Sequence, residues 1–137
     1  EPRTMQKNPV YTDLLSEVKS FLAERARALT DLGVSAEKIV LDPGFGFGKT
    51  VSQNFELLAK TEDFLSLGYQ ILYGMSRKSS LGAVTGITKA EERLISSVTA
   101  HLLAVERGAS IVRVHDVKQM KEALTIYKAM VHYKDLK

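Results

Sequence analysis

Three short runs of β-forming residues, at 39–41, 71–73 and 111–114, each end in a glycine or charged cluster and each lead into helical periodicity. No other feature constrains the fold as much. Runs this short and apolar suit parallel strands buried on both faces, with a helix crossing over to the next strand. Such architectures keep their chemistry at the C-terminal ends of their strands. The clusters that follow the three runs are therefore expected to gather along one edge.

The helices are read from spacing. From about Thr12, Leu14, Leu15, Val18, Phe21, Leu22, Leu29 and Leu32 recur with helical period, and Gly33 supplies a stop. Ser35–Lys38 reads as a short turn. Asn54 is placed to cap a second helix carrying Phe55, Leu57, Leu58, Phe64, Leu65 and Leu67, closed by Gly68. Met75 to Gly82 reads as loop, with Gly86 in its continuation. Thr88 with Glu91 forms a capping box that opens a long helix to about Arg107. Gly108 ends it. Asp116 with Gln119 caps a last helix carrying Met120, Leu124, Tyr127 and Val131, to about Tyr133.

The predicted order is α-β-α-β-α-β-α, with three strands and four helices in a single partial domain over residues 1–137. Residues 1–11, polar and holding Pro2 and Pro9, are expected to form a loop or arm. Three βα units do not close a sheet. An eight-stranded (β/α) barrel takes roughly 250 residues, so the length suits about half of one, with an open three-stranded α/β sandwich as the alternative. The opening Glu1-Pro2-Arg3-Thr4-Met5-Gln6 has neither an initiating methionine nor a signal-like pattern, and reads as the middle of a loop in a longer chain.

Composition narrows the function classes. The net charge is only +3, and the lysines are spread along helices, which argues against nucleic-acid binding. Without cysteine there is no disulfide framework or thiolate metal site. No apolar run is long enough to span a bilayer.

The cluster after the first run, Leu41-Asp42-Pro43-Gly44-Phe45-Gly46-Phe47-Gly48-Lys49, carries the most chemistry. Proline ends the ladder because it has no N–H to donate, and glycines let backbone approach a ligand closely. After the second run come Arg77, Lys78 and Ser79, cations suited to phosphate or carboxylate oxygens. After the third come Arg113, His115 and Asp116. Arg113 interrupts an apolar strand, so a buried guanidinium with a partner is expected. His115 could bind an anion, donate a proton or only bond a carbonyl; Asp116 reads as the helix cap. Ser79 has no evident general base nearby. His101 and His132 read as structural. No pair of histidines or carboxylates has metal-ligand spacing. The pocket so described could hydrogen-bond the N–H groups of a heterocycle through Asp42 and stabilise a departing phosphate through its cations.

LDPGFGFGK at 41–49, GMSRKSSLG at 74–82 and RVHDV at 113–117 resemble the three C-terminal signatures of the dihydropteroate synthase family. EPRTMQ resembles the loop after that family's fifth barrel strand. The resemblance implies a (β/α)₈ barrel that joins a dihydropterin diphosphate to p-aminobenzoate through a pterin cation, releasing diphosphate in folate synthesis, with sulfonamides as inhibitors. It places Asp42, Gly74 and Lys78 at the pterin, and Gly46, Phe47, Arg77, Lys78 and Ser79 at the aminobenzoate. Arg113 and His115 would hold diphosphate; Lys78, Arg113 and His115 would form the catalytic set. For Lys49 it offers no firm role. It further implies a cytoplasmic homodimer using Mg²⁺, whose main protein ligand lies outside this chain, along with the first five strands and two mobile loops.

By that comparison the chain alone is expected to be inactive, and its unpaired strand edges are expected to drive dimerisation, swapping or aggregation. Two other functions remain in view: a pterin-binding folate/corrinoid methyltransferase module, and a non-catalytic half-barrel that self-associates through its helices.

Overall fold

The computed structural model describes residues 13–136; the expected arm at 1–11 and the EPRTMQ segment lie outside them. The elements run α1 (Leu14–Asp31), β1 (Val40–Leu41), α2 (Val51–Ala59), α3 (Thr61–Leu65), β2 (Gln70–Tyr73), α4 (Ser79–Thr85), α5 (Leu94–Glu106), β3 (Ile111–Val112) and α6 (Val117–Val131). All pairing is parallel in the order β1-β2-β3, with Leu41 opposite Ile71 and Tyr73 opposite Val112.

α1 begins where Asp13 accepts the Ser16 N–H and buries Leu14, Val18, Leu22 and Ala26 on one stripe. Gly33, at φ 87°, takes the left-handed position after it, as expected. That stripe packs into a core shared with Ile39, Leu41, Leu57, Phe64, Ile71 and Tyr73. The sheet is not buried on both faces as predicted. Ile39, Leu41, Ile71 and Tyr73 face the helices and are buried, whereas Val40 is 39% exposed and Leu72 only half-buried. Alternate residues of a strand point to opposite faces, and among the described residues nothing packs fully over the second one.

Several predicted boundaries move. The single helix expected after the first cluster divides at Lys60 into α2 and α3. Thr50, not Asn54, caps α2, in a reciprocal capping box with Gln53. The segment read as loop after the second strand contains α4. The Thr88–Glu91 box does not form: residues 90–92 make a single 3₁₀ turn and α5 starts at Leu94. The third strand stops at Val112, although the Arg113 N–H still donates to Tyr73 O at 2.9 Å. Six α-helices are thus described where four were predicted.

Candidate functional site

The three clusters do collect at the C-terminal ends of the strands. After β1, Gly44 and Gly46 hold φ near 80° and the chain doubles back on itself. One Asp42 oxygen accepts the Gly44 N–H at 2.9 Å; the other lies 3.9 Å from Arg113 Nη2. The two phenylalanines take opposite roles. Phe45 is 1% exposed and meets Phe55 edge-on, while Phe47 is 44% exposed with the Lys78 ammonium 4.1 Å above its ring. That is a cation–π approach. Lys49 has a structural part here: its ammonium donates to Gly44 O at 3.0 Å and Phe47 O at 2.9 Å, tying the turn shut.

Asn54 reaches this loop from inside α2. It is buried; its Oδ1 accepts the Gly46 N–H at 2.7 Å and its Nδ2 donates to Ser80 Oγ at 2.9 Å. By spacing alone it reads as a cap. Its distance of 8 residues from Gly46 and 26 from Ser80 leaves no local pattern to read.

After β2 the chain turns through Met75–Lys78. Arg77 has φ 60°, the one non-glycine residue with positive φ among those described. Such a conformation costs an L-residue about 1–2 kcal/mol, so its surroundings must impose it. They do. The Arg77 N–H donates to Ser97 Oγ at 2.8 Å, and its carbonyl accepts from Arg93 Nη1 at 2.9 Å. Buried Arg93 also donates to Ile87 O and Thr88 O at 3.0 and 2.6 Å, and a Cβ on Gly82 would lie 2.5 Å from its Nε. His101 completes the support, with Nε2 accepting the Met75 N–H at 3.0 Å and Nδ1 donating to Ser97 O at 2.7 Å. Burial keeps that ring below the usual histidine range.

Asp116 does occupy the N-cap position of α6, but the predicted capping pair with Gln119 is not formed, for its side chain bonds no N–H of that helix. The Arg77 guanidinium grips it instead, Nη2 to Oδ1 at 2.7 Å and Nε to Oδ2 at 3.2 Å. This bond holds the Asp116 carboxyl below its ordinary range and raises the guanidinium. Arg113 is likewise not buried; its side chain is 66% exposed. It lies across Gly74, where a Cβ would stand 2.7 Å from Nη2, as one on Gly46 would stand 2.6 Å from Lys78 Cδ. These two glycines make room for cations. Lys78 also donates to Phe45 O. Burial pulls its ammonium down, Asp42 opposes this, and Arg113 and Lys49 add to it. His115 is exposed and meets Ser76, while Ser79 is exposed at the start of α4.

The result is one carboxylate, Asp42, among Arg113, Lys78 and Lys49. It can accept hydrogen bonds from a neutral or cationic heterocycle, and the cations can receive an anion. Tyr73 belongs to the core: its hydroxyl donates to Leu57 O at 2.8 Å, and burial pushes its pKa up to about 12. Among the described residues no three of His, Cys, Asp and Glu gather as a metal site.

The family described as pterin binding enzyme matches residues 1–115. A dihydropteroate synthase of Haemophilus influenzae is 41% identical over 129 residues, covering 94% of this chain and 46% of its own. The crystal structure of dihydropteroate synthase from Stenotrophomonas maltophilia, with active site-bound imidazole, superposes with TM-score 0.94 at 48% identity, covering 96% of this chain and 50% of that one. The Thermus thermophilus enzyme in complex with 6HMPPP superposes at 0.91 and 41% identity, over 96% of this chain and 51% of that one. The same protein has been solved with 4-aminobenzoate, and a Yersinia pestis dihydropteroate synthase with a sulfonamide drug. The chain spans about half the length of the curated relatives it matches.

Proposed function

We propose, for a chain that belongs to the pterin-binding enzyme family, that it supplies one side of a dihydropteroate synthase active site. The intact enzyme would condense 6-hydroxymethyl-7,8-dihydropterin diphosphate with p-aminobenzoate to give 7,8-dihydropteroate and diphosphate. The observation that carries this is Asp42, anchored by one oxygen to Gly44 N–H and set among Arg113, Lys78 and Lys49. The similarity to synthases solved with 6HMPPP and with 4-aminobenzoate supports it.

Asp42 accepts N–H groups of the pterin ring, where its charge also favours a cation. The C–O bond between the pterin methylene and the diphosphate breaks, its electron pair leaving with diphosphate. Arg113 and His115 receive the charge that develops on the leaving group. The amine of p-aminobenzoate then attacks the methylene and loses a proton. Phe47 and the Lys78 ammonium above it form one side of the aminobenzoate site, with Ser79 exposed beyond. Arg77 contributes through Asp116, which already occupies its guanidinium. Gly46 and Gly74 keep the paths of Lys78 and Arg113 clear.

A magnesium ion does not fit residues 13–136: the site carboxylate, Asp42, faces cations, and no carboxylate cluster stands near it. Any magnesium is proposed to rest on the diphosphate and on groups outside these residues. One partial domain, sulfonamide inhibition, a cytoplasmic location and a homodimer belong to the same reading. Exposed Ile95 on α5 and Ile126 on α6 supply apolar surface for self-association, which sedimentation would detect.

The test is turnover by the intact protein. Diphosphate release should require both the pterin substrate and p-aminobenzoate and be blocked by a sulfonamide. Lys78→Ala should lower kcat/KM by about 2–3 kcal/mol, as for a lost charged contact. Arg113→Ala should cost less, because its side chain is two-thirds exposed. Methyl transfer from methyltetrahydrofolate without aminobenzoate-dependent turnover would establish the methyltransferase instead.

A further inference from the structure

The loops after β2 and β3 are fastened in register. Ser76 meets His115 and Arg77 meets Asp116, each pair 39 residues apart. The second pair is an ion pair; the first is a hydroxyl against an imidazole. The His115 backbone N–H donates to Ser76 Oγ at 3.2 Å, and His115 Nδ1 lies 2.8 Å from that same oxygen. With its oxygen accepting the backbone N–H, the hydroxyl is free to turn its proton toward Nδ1.

We propose that Ser76 is a positioning residue for His115: its hydroxyl donates to Nδ1 and so holds the ring in the tautomer that carries its proton on Nε2. This rests on the reading above, in which His115 meets the diphosphate. A neutral imidazole has one N–H. If the proton sat on Nδ1, Nε2 would turn a lone pair toward a phosphoryl oxygen and repel it. With Ser76 donating, Nε2–H is a fixed donor to the leaving group. His101 shows the opposite arrangement in the same molecule, where a carbonyl at Nδ1 fixes the proton there. The partner at Nδ1 decides the tautomer in both.

Ser76 is suited to this because its loop is held independently. Arg77 is secured through Ser97, Arg93 and Asp116, so removing the Ser76 hydroxyl leaves the backbone of 75–78 supported. The experiment uses the intact protein, with ¹⁵N-labelled histidine and inorganic diphosphate as the probe. The His115 ring should show a protonated Nε2 and an unprotonated, accepting Nδ1.

Ser76→Ala should shift the ring toward a tautomer mixture and weaken diphosphate binding about tenfold, the scale of one hydrogen bond. KM for p-aminobenzoate should stay unchanged, and Ser76→Thr, which keeps a hydroxyl, should restore both signals. An Nδ1-protonated ring in the parent protein overturns the proposal. So does a Ser76→Ala variant that binds diphosphate as tightly as the parent. If the parent binds no diphosphate at all, the functional reading fails, while the ring signals of parent and variant still decide whether Ser76 sets the tautomer.

Discussion

The turns after β1 and β2 both need backbone in the left-handed region, and they reach it by different means. The first is written in glycine: Gly44, Gly46 and Gly48 take positive φ without a steric penalty, and the surrounding contacts only close the turn. The second puts Arg77 at φ 60° and imposes it through Ser97, Arg93 and Asp116. The difference teaches where side chains are wanted. The glycine turn leaves room for Lys49 and Lys78, which a Cβ on Gly44 or Gly46 would crowd. The arginine turn accepts strain to keep Ser76 and Arg77 against the third loop while Lys78 turns to the first.

The largest effect should come from the support of the second turn. Arg93→Ala removes donors from three carbonyls at once and should destabilise the intact protein by about 3 kcal/mol or more in urea unfolding. Asn54→Ala, the equivalent blow to the glycine turn, should cost about 2 kcal/mol, since the Gly46 N–H and the Ser80 hydroxyl each lose one partner. Equal losses would mean that the two turns depend equally on buried side chains, and the contrast would collapse.

A smaller effect isolates the strain. Arg77→Gly and Arg77→Ala both delete the guanidinium, but only glycine relieves φ 60°. The glycine variant should therefore be the more stable by about 1 kcal/mol. If alanine is equal or better, Arg77 is not held against a backbone preference.

The smallest effect is with pH. His101 is held by burial below its usual pKa of 6.5, and protonating Nε2 would break its bond from Met75 N–H. The unfolded chain therefore takes up the proton first. Stability should be fully present above about pH 6.5 and fall as the pH drops through the window below it, until the lower folded pKa is passed. His101→Gln should flatten that slope in thermal midpoints measured across pH, although its overall stability should be lower.

Much of the site was legible because its residues announce themselves locally. Asp42-Pro43 before alternating glycines, Arg77-Lys78-Ser79 after a strand and Arg113 before His115 each carry a signal within a few positions. The support was not legible. Asn54 looks like a helix cap, Ser97 and His101 look like ordinary helix residues, and the partners that matter lie 8 to 26 positions away. Arg93 carries no local signal at all, yet it is buried against three carbonyls. The side-chain capping pairs read at Asp116 and Thr88 fail for the opposite reason. Each fits a local capping pattern, but Asp116 is claimed by Arg77, and the Thr88 carbonyl is drawn to Arg93.

By itself, then, the sequence determined three strands with helical segments between them, their parallel sense and the kinds of group at the strand ends, because those depend on spacing and on backbone freedom at single residues. Only the tertiary structure decided that Lys78 and Arg113 face Asp42, which carboxylate holds Arg77 and which hydroxyl meets His115. Those pairings are made across chain separations of 36 to 71 residues. Hydrogen bonds and ion pairs act over a few ångströms, so nothing along the chain can specify such a partner until folding brings the three turns together.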